Sequence, residues 1–333
     1  MEKLTVWVNF DQKEVDVSSL KKYFESDDRF SFSAERITDH EQAIKRAEQT
    51  DILINTFDAL GEEEFGRIAK RTKLVIRYGT GYDNVDVSVA TAHGIPFGNC
   101  AGANASSVAE LALIHILNCG RNFIRSHKGG QAGNWPVVFP STELDGKTIG
   151  LVGFGNIAKQ LVRMLGCFSV KIVTFDPYLD KETQAFAKDN RVTILNSMKE
   201  LFEICDIISL HIPMNPMTEK IINKEMFDSA KSGLILVNTC RGGVINEKDL
   251  IDALQSKKVR SAGLDVLSVE PPTLDNPLLH MEQVSVSAHM GGSTVESEMR
   301  TQKMIYETVG AFVNGNFTSN IINRDQIKNR RLK

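Results

Sequence analysis

Thr148-Ile-Gly-Leu-Val-Gly-Phe-Gly-Asn-Ile-Ala158 is the stretch that decides the fold. It opens with a short β-branched and aliphatic run and passes into a segment of helical period, so its glycines fall on a strand-to-helix turn. Gly153, Gly155 and Ala158 make G-x-G-x-x-A. Gly153 permits the tight turn, Gly155 lets the backbone approach a pyrophosphate, and Ala158 is small enough for helix to pack closely on strand. The free amides of the helix N-terminus, near Asn156 and Ile157, would face the phosphates. Glycine loops also serve turns with no ligand, so the second signal matters: Asp176 closes the next strand candidate, about 20 residues on. A carboxylate there accepts hydrogen bonds from an adenosine ribose diol and repels a 2'-phosphate. Pro177-Tyr178 brings no arginine to reverse that, and the expected cofactor is NAD and not NADP.

Working outward, short β-branched and aromatic runs alternate with longer helical segments, the pattern of βαβ units and a parallel sheet. The class is α/β. Strands are expected at residues 4–9, 30–32, 51–55, 74–77 and 95–99, with polar helical stretches between the first four. An apolar helix follows over 106–117, then a long Gly-, Asn- and Pro-containing connection over 120–140. A second series at 148–152, 171–175, 206–211, 233–238, 261–266 and 284–287 gives six strands, a complete dinucleotide-binding sheet. A helix over 294–314 then leads to an apolar stretch near Ile321 that has no sheet of its own, so the chain is expected to return to the first domain. The basic tail Lys328–Lys333 reads as a frayed, solvated end.

With 333 residues, 42% of them hydrophobic, two domains are expected. Charged residues are 24% and the formal net charge is −3, too weak a field to gather nucleic acid or an anionic membrane. The N-terminal Met-Glu-Lys-Leu-Thr-Val-Trp-Val has no apolar signal-peptide run, and no 18-residue apolar stretch occurs. Five cysteines, with no C-x-x-C spacing, suggest neither a disulfide framework nor a metal site, and point to a reducing cytoplasm.

Three further segments carry a family resemblance: Asn238-Thr-Cys-Arg-Gly-Gly243, Gly263-Leu-Asp-Val-Leu-Ser-Val-Glu-Pro271 and Ser287-Ala-His-Met-Gly-Gly292. Together with Tyr78-Gly-Thr-Gly-Tyr-Asp-Asn-Val-Asp86, Asn104 to Leu111 and the stretch around His211-Ile-Pro213, the chain resembles the D-isomer-specific 2-hydroxyacid dehydrogenases. The resemblance implies two doubly wound parallel-sheet domains. A flavodoxin-like substrate domain, residues 1–103 plus 292–333, would carry an inserted Rossmann NAD-binding domain, residues 104–291. It also implies a homodimer formed through residues 106–140, an inference from fold analogy.

By the same resemblance, a small 2-oxo or 2-hydroxy acid is the substrate, His289 the proton donor, Glu270 its carboxylate partner, and Arg241 the group that binds the substrate carboxylate and carbonyl. Each residue type suits its task. An imidazole exchanges protons near neutrality, a neighbouring carboxylate fixes its tautomer, and arginine binds a carboxylate in a planar fork. Gly79 and Gly81 would offer backbone amides to the substrate carboxylate from across an interdomain cleft, and Arg77 is a further candidate substrate ligand. Thr80, Pro213, Thr239, Cys240, Asp265 and Gly291 are carried over as cofactor contacts, Asp265 near the nicotinamide carboxamide. Cys240 stands where the family has alanine or serine, and is expected to be tolerated and unreactive. The other six histidines, His40, His93, His115, His127, His211 and His280, are read as surface or packing residues.

Family members acting on phosphoglycerate place an arginine where this chain has Asn55-Thr56. The sequence also ends soon after residue 320, with no room for the regulatory domain many of them append. A small unphosphorylated acid such as glyoxylate, hydroxypyruvate or pyruvate is favoured, with Arg77 keeping a phosphorylated one open. Formate dehydrogenases use glutamine where Glu270 stands. An NAD-responsive regulatory binding protein is the alternative from another class.

Overall fold

The computed structural model describes residues 2–10, 16–56, 58–135 and 140–327. The basic tail and residues 136–139 of the long connection lie outside them. The chain divides into two compact units, Met1–Asn104 with Ser293–Lys333, and Ala105–Gly292.

The first unit runs β1 (Leu4–Val8), α1 (Ser18–Glu25), β2 (Phe30–Ala34), α2 (His40–Ala47), β3 (Ile52–Asn55), α3 (Glu62–Ile68), β4 (Leu74–Arg77), α4 (Val87–Ala92) and β5 (Phe97–Gly98). All pairings are parallel, in the order β2-β1-β3-β4-β5. The strands are apolar on both faces because helices cover both. In β1, Val6 and Val8 join Leu20 and Phe24 of α1 on one side while Trp7 joins Ile44 and Phe65 on the other. The later helix α12 (Val295–Val313) supplies Ile305, Val309 and Phe312 to the α1 face, and Ile321 then makes an antiparallel bridge to Gly98. The apolar stretch near Ile321 thus borders this unit's sheet.

The second unit begins with α5 (Ala105–Arg121) and α6 (Phe123–Gln131). It continues β6 (Thr148–Val152), α7 (Asn156–Leu165), β7 (Lys171–Phe175), α8 (Lys181–Asp189), β8 (Thr193–Ile194), α9 (Met198–Ile204) and β9 (Ile207–Leu210). Then come α10 (Lys224–Ser229), β10 (Leu234–Asn238), α11 (Glu247–Gln255), β11 (Val259–Leu264) and β12 (Val284–Val286). The sheet is parallel throughout, in the order β12-β11-β10-β9-β6-β7-β8. One face packs on α5 and α7 through Ala109, Ala112, Ile116, Leu161 and Leu165, the other on α9 to α11 through Leu201, Phe227 and Leu250. The two sheets are the doubly wound α/β folds expected.

Three expectations are corrected. The second sheet has seven strands, not six: β8 is two exposed edge residues, too short for a periodic signal. The connection over 120–140 contains α6, whose two glycines, Gly129 and Gly130, mask its helical period. A short helix, α4, also lies between β4 and β5, where no helical stretch is expected; the Asp86 carboxylate caps it by accepting from Ser88 N and Val89 N.

Candidate active site

In both sheets the strand order reverses once, between β1 and β3 and between β6 and β9, and the crevice beyond the carboxyl ends of the strands at such a point is where α/β sheets bind ligands. The expected residues of the second unit follow the carboxyl ends of β6, β7, β9, β10, β11 and β12. Gly153 follows β6 with φ +88, and a Cβ on it would stand 2.5 Å from the His211 carbonyl oxygen. Only glycine fits a turn pressed this closely on the residue after β9. Gly155, in contrast, faces open space, with nothing within 4 Å of a Cβ placed there. It precedes α7, whose first turn has no side-chain cap at Gly155, while Ala158 is fully buried. Asp176 follows β7 and ties the loop together, its carboxylate accepting from Phe154 N and from Tyr178 N, each at 2.9 Å.

Beyond β9 and β10 lie side chains whose polarity the chain does not satisfy. The Thr239 hydroxyl and both ring nitrogens of His211 are buried and, among the described residues, have no hydrogen-bond partner. Burial pushes the His211 imidazole down to about 4, so it is neutral at ordinary pH. Buried polar atoms are normally paired, and orphans beside an open glycine turn fit a dinucleotide site. Cys240 is buried, its thiol pushed up to about 11 by burial, so it is no thiolate nucleophile.

Arg241 is aimed by its backbone. Fully buried Asn238, the last residue of β10, receives the Cys240 amide on Oδ1 and donates from Nδ2 to the Arg241 carbonyl, while Arg241 Nη1 donates to the Cys240 carbonyl at 2.7 Å. The next residue, Gly242, presses on the loop after β11: a Cβ there would stand 1.9 Å from the Leu267 carbonyl carbon. That contact sets the Arg241 turn against the loop that carries Glu270. Glu270 Oε1 accepts from Leu267 N at 2.9 Å, and Oε2 meets His289 Nδ1 at 2.6 Å. With Nδ1 engaged, Nε2 is the ring nitrogen left to face a ligand. About half of the His289 side chain is exposed.

His289 has φ +50, a left-handed backbone that costs a non-glycine residue of order 1 kcal/mol or more. Asp265, buried at the end of β11, holds it so. Its carbonyl accepts from His289 N, Oδ1 from Met290 N and Oδ2 from Gly291 N, all at 2.8–2.9 Å. Ser287 Oγ also donates to Oδ1 at 2.6 Å. Most of this carboxylate's capacity is therefore spent on the chain itself.

In the first unit, Arg77 at the end of β4 donates from Nε to the Gly81 carbonyl and from Nη1 to the Tyr78 carbonyl. Cys100 N donates to the Gly79 carbonyl, and Asn99 Nδ2 to that of Thr80. The carbonyls of the 78–81 loop are thus all engaged, and Gly79, at φ +124, needs to be glycine. A cavity of about 430 Å³ beside α6, lined by Asn122, Arg125, Lys128 and Ser285 among others, contains none of these residues. Among the described residues no cluster of metal-ligating side chains occurs, and no helix is long and apolar enough to cross a membrane. Asn238, Gly242 and Ser287 were not singled out from the sequence; all three lie inside the motifs that carry the resemblance.

The family model for the D-isomer specific 2-hydroxyacid dehydrogenase NAD-binding domain matches residues 113–291, more than half of the chain. The chain belongs to the D-isomer-specific 2-hydroxyacid dehydrogenase family. Its second unit is accordingly an NAD-binding domain. A hydroxypyruvate reductase from Thermotoga maritima is 37% identical over 272 residues, 81% of this chain and 87% of that protein. A D-3-phosphoglycerate dehydrogenase from Methanocaldococcus jannaschii is 34% identical over 293 residues, 88% of this chain and 55% of that protein. This dehydrogenase-family chain spans about half the length of the D-3-phosphoglycerate dehydrogenases it matches. A solved glyoxylate reductase from Paecilomyes thermophila, 23% identical, shares its fold with a TM-score of 0.87 over 97% of this chain and 100% of that one.

Proposed function

We propose that the protein is an NAD-dependent dehydrogenase interconverting a small, unphosphorylated 2-oxo acid and its D-2-hydroxy acid. The observation that carries this reading is the His289–Glu270 pair, 2.6 Å apart, with Nε2 left over, on a turn held by Asp265. Gly153, Gly155, the first amides of α7 at Asn156 and Ile157, Asp176, Pro213, Thr239, Cys240 and Gly291 would hold the dinucleotide. Bound NADH supplies the hydride. Arg241 binds the substrate carboxylate in its planar fork and draws charge onto the oxo oxygen. His289 delivers a proton from Nε2 to that oxygen, and Glu270 on Nδ1 stabilises the imidazolium and fixes which nitrogen acts. The amides of Gly79 and Gly81 are further candidates for binding an acid's carboxylate. Two Arg77 donors are committed to that loop, so its part is to hold the loop's shape as much as to bind substrate.

Against a phosphorylated substrate stand Asn55 and Thr56, both buried, bonded to the carbonyls of Asp58 and Asn9, where a phosphate would need a cation. The test is NADH oxidation with glyoxylate, hydroxypyruvate, pyruvate and phosphohydroxypyruvate. Turnover of about 1 per second or more is expected on an unphosphorylated acid, and Asp176 should give NADH at least a tenfold advantage over NADPH in kcat/KM, about 1.4 kcal/mol. Preference for the phosphorylated acid would reverse the substrate reading. Tight NADH binding without turnover on any acid would replace the enzyme by an NAD-responsive binding protein.

A further inference from the structure

His115 lies in the middle of α5, far in sequence from every residue of the proposed chemistry, yet its buried ring reaches the end of β12. Nε2 is 3.0 Å from Ser287 Oγ and Nδ1 3.2 Å from Ser285 Oγ. The tautomer follows from counting hydrogens. The single Ser287 hydroxyl proton goes to Asp265 Oδ1 at 2.6 Å, so toward His115 this oxygen can only accept, and Nε2 must carry the proton. Nδ1 then accepts from Ser285. Burial lowers the pKa of this imidazole, outweighing the opposite pull of Asp265, which keeps it neutral. Room for the ring is built in: a Cβ on Gly263 of β11 would come within 2.7 Å of His115. A ring that served only to fill space would need neither the two serines nor the missing side chain.

We propose that His115 is a positioning residue, an Nε2–H donor that orients Ser287 and through it the Asp265 carboxylate, and so holds His289 in its left-handed turn. The kinetic part rests on the dehydrogenase reading above. The carboxylate that receives Ser287 also receives Met290 N and Gly291 N. Loss of the Nε2 donor frees the Ser287 hydroxyl to turn from Asp265, and the turn that aims His289 at Glu270 loosens. Small misplacements of a reacting group cost rate more than binding.

The test compares His115→Phe, which keeps volume and removes the donor, with His115→Gln, which returns an N–H near Nε2, and with Ser287→Ala. kcat should fall about tenfold or more in His115→Phe and Ser287→Ala, with KM and the NADH dissociation constant changed by less than about threefold, and His115→Gln should recover most of the loss. Nitrogen-15 NMR of the wild-type protein should show His115 neutral with its proton on Nε2, and the His289 ring resonances should shift in His115→Phe and return in His115→Gln. Equal losses in the Phe and Gln variants, or a proton on Nδ1, would overturn the proposal. If His115→Phe does not fold, Ser287→Ala decides on the same readouts. If the wild-type chain reduces no 2-oxo acid, the proposed function fails, while the tautomer and the His289 resonances still decide the positioning role.

Discussion

Arg241 shows what a motif carries and what it hides. The sequence names the guanidinium, but its direction comes from Asn238 on one side and the Gly242–Leu267 contact on the other, and neither partner has a signal beyond lying in the same segment. The pair His289 and Glu270 is likewise legible from motif order, while Asp265, in sequence a candidate nicotinamide contact, is largely spent on the turn after β12. In sequence His115 reads as a packing residue, because one histidine in an apolar helix looks like any other until β12 is placed beside it. Arg241→Lys tests the residue scale. A point charge cannot bridge carboxylate and oxo oxygen as a planar fork does, so kcat should fall and KM rise together, kcat/KM by about a hundredfold or more. Near-normal values of both would remove Arg241 from the substrate.

At the scale of elements, long strands with both faces covered announced themselves as apolar runs, and β4, β6 and β7 end where the sequence places them. The failures were short or capped elements, β8, α4 and α6, in which fewer than about three turns or a pair of edge residues give no period to read. The end of β9 holds a consequence invisible in sequence. Gly153 presses its turn onto the His211 backbone, and the His211 ring is buried with unpartnered nitrogens. Its folded pKa, about 4, lies below the ordinary imidazole value of 6.5, so the unfolded chain binds the proton first. Stability is therefore full above about pH 6.5 and is lost as pH falls toward about 4, by at most about 3 kcal/mol from this group. Urea unfolding of the dinucleotide-free protein should show this decline, and His211→Leu, with no proton to gain, should decline less over the same window. Parallel curves would mean that His211 is solvated and that the close packing of the turn does not desolvate it.

For the molecule as a whole, the two strand series were legible because each keeps its own alternation of strand and helix, and the return of the chain was legible only as an apolar stretch without a sheet, near Ile321. Assembly is the one property at this scale that the sequence offered by analogy alone, and the structure adds a physical reason. The face of α5 defined by Ala109, Ala112, Ile116 and Cys119 is buried in its own unit. The opposite side exposes Ile114 at 58% and Leu117 at 37%, and α6 continues the patch with Phe123 at 66%. A groove of about 470 Å³ lies among Ile114, Leu117, Arg121 and Phe123. Contiguous exposed apolar groups with a polar rim mark interaction surfaces, and in a two-fold dimer the same surface of each copy would meet its counterpart. We propose a homodimer closed through residues 106–140. Sedimentation at micromolar concentration should give twice the 37.0 kDa of one chain. Ile114→Arg with Phe123→Asp, placing charges in a surface that would be dry, should shift the mass to that of one chain while leaving the circular dichroism of the folded units intact. Wild-type protein that sediments as a single chain, or a charged variant that still sediments as two, would place the interface elsewhere or nowhere.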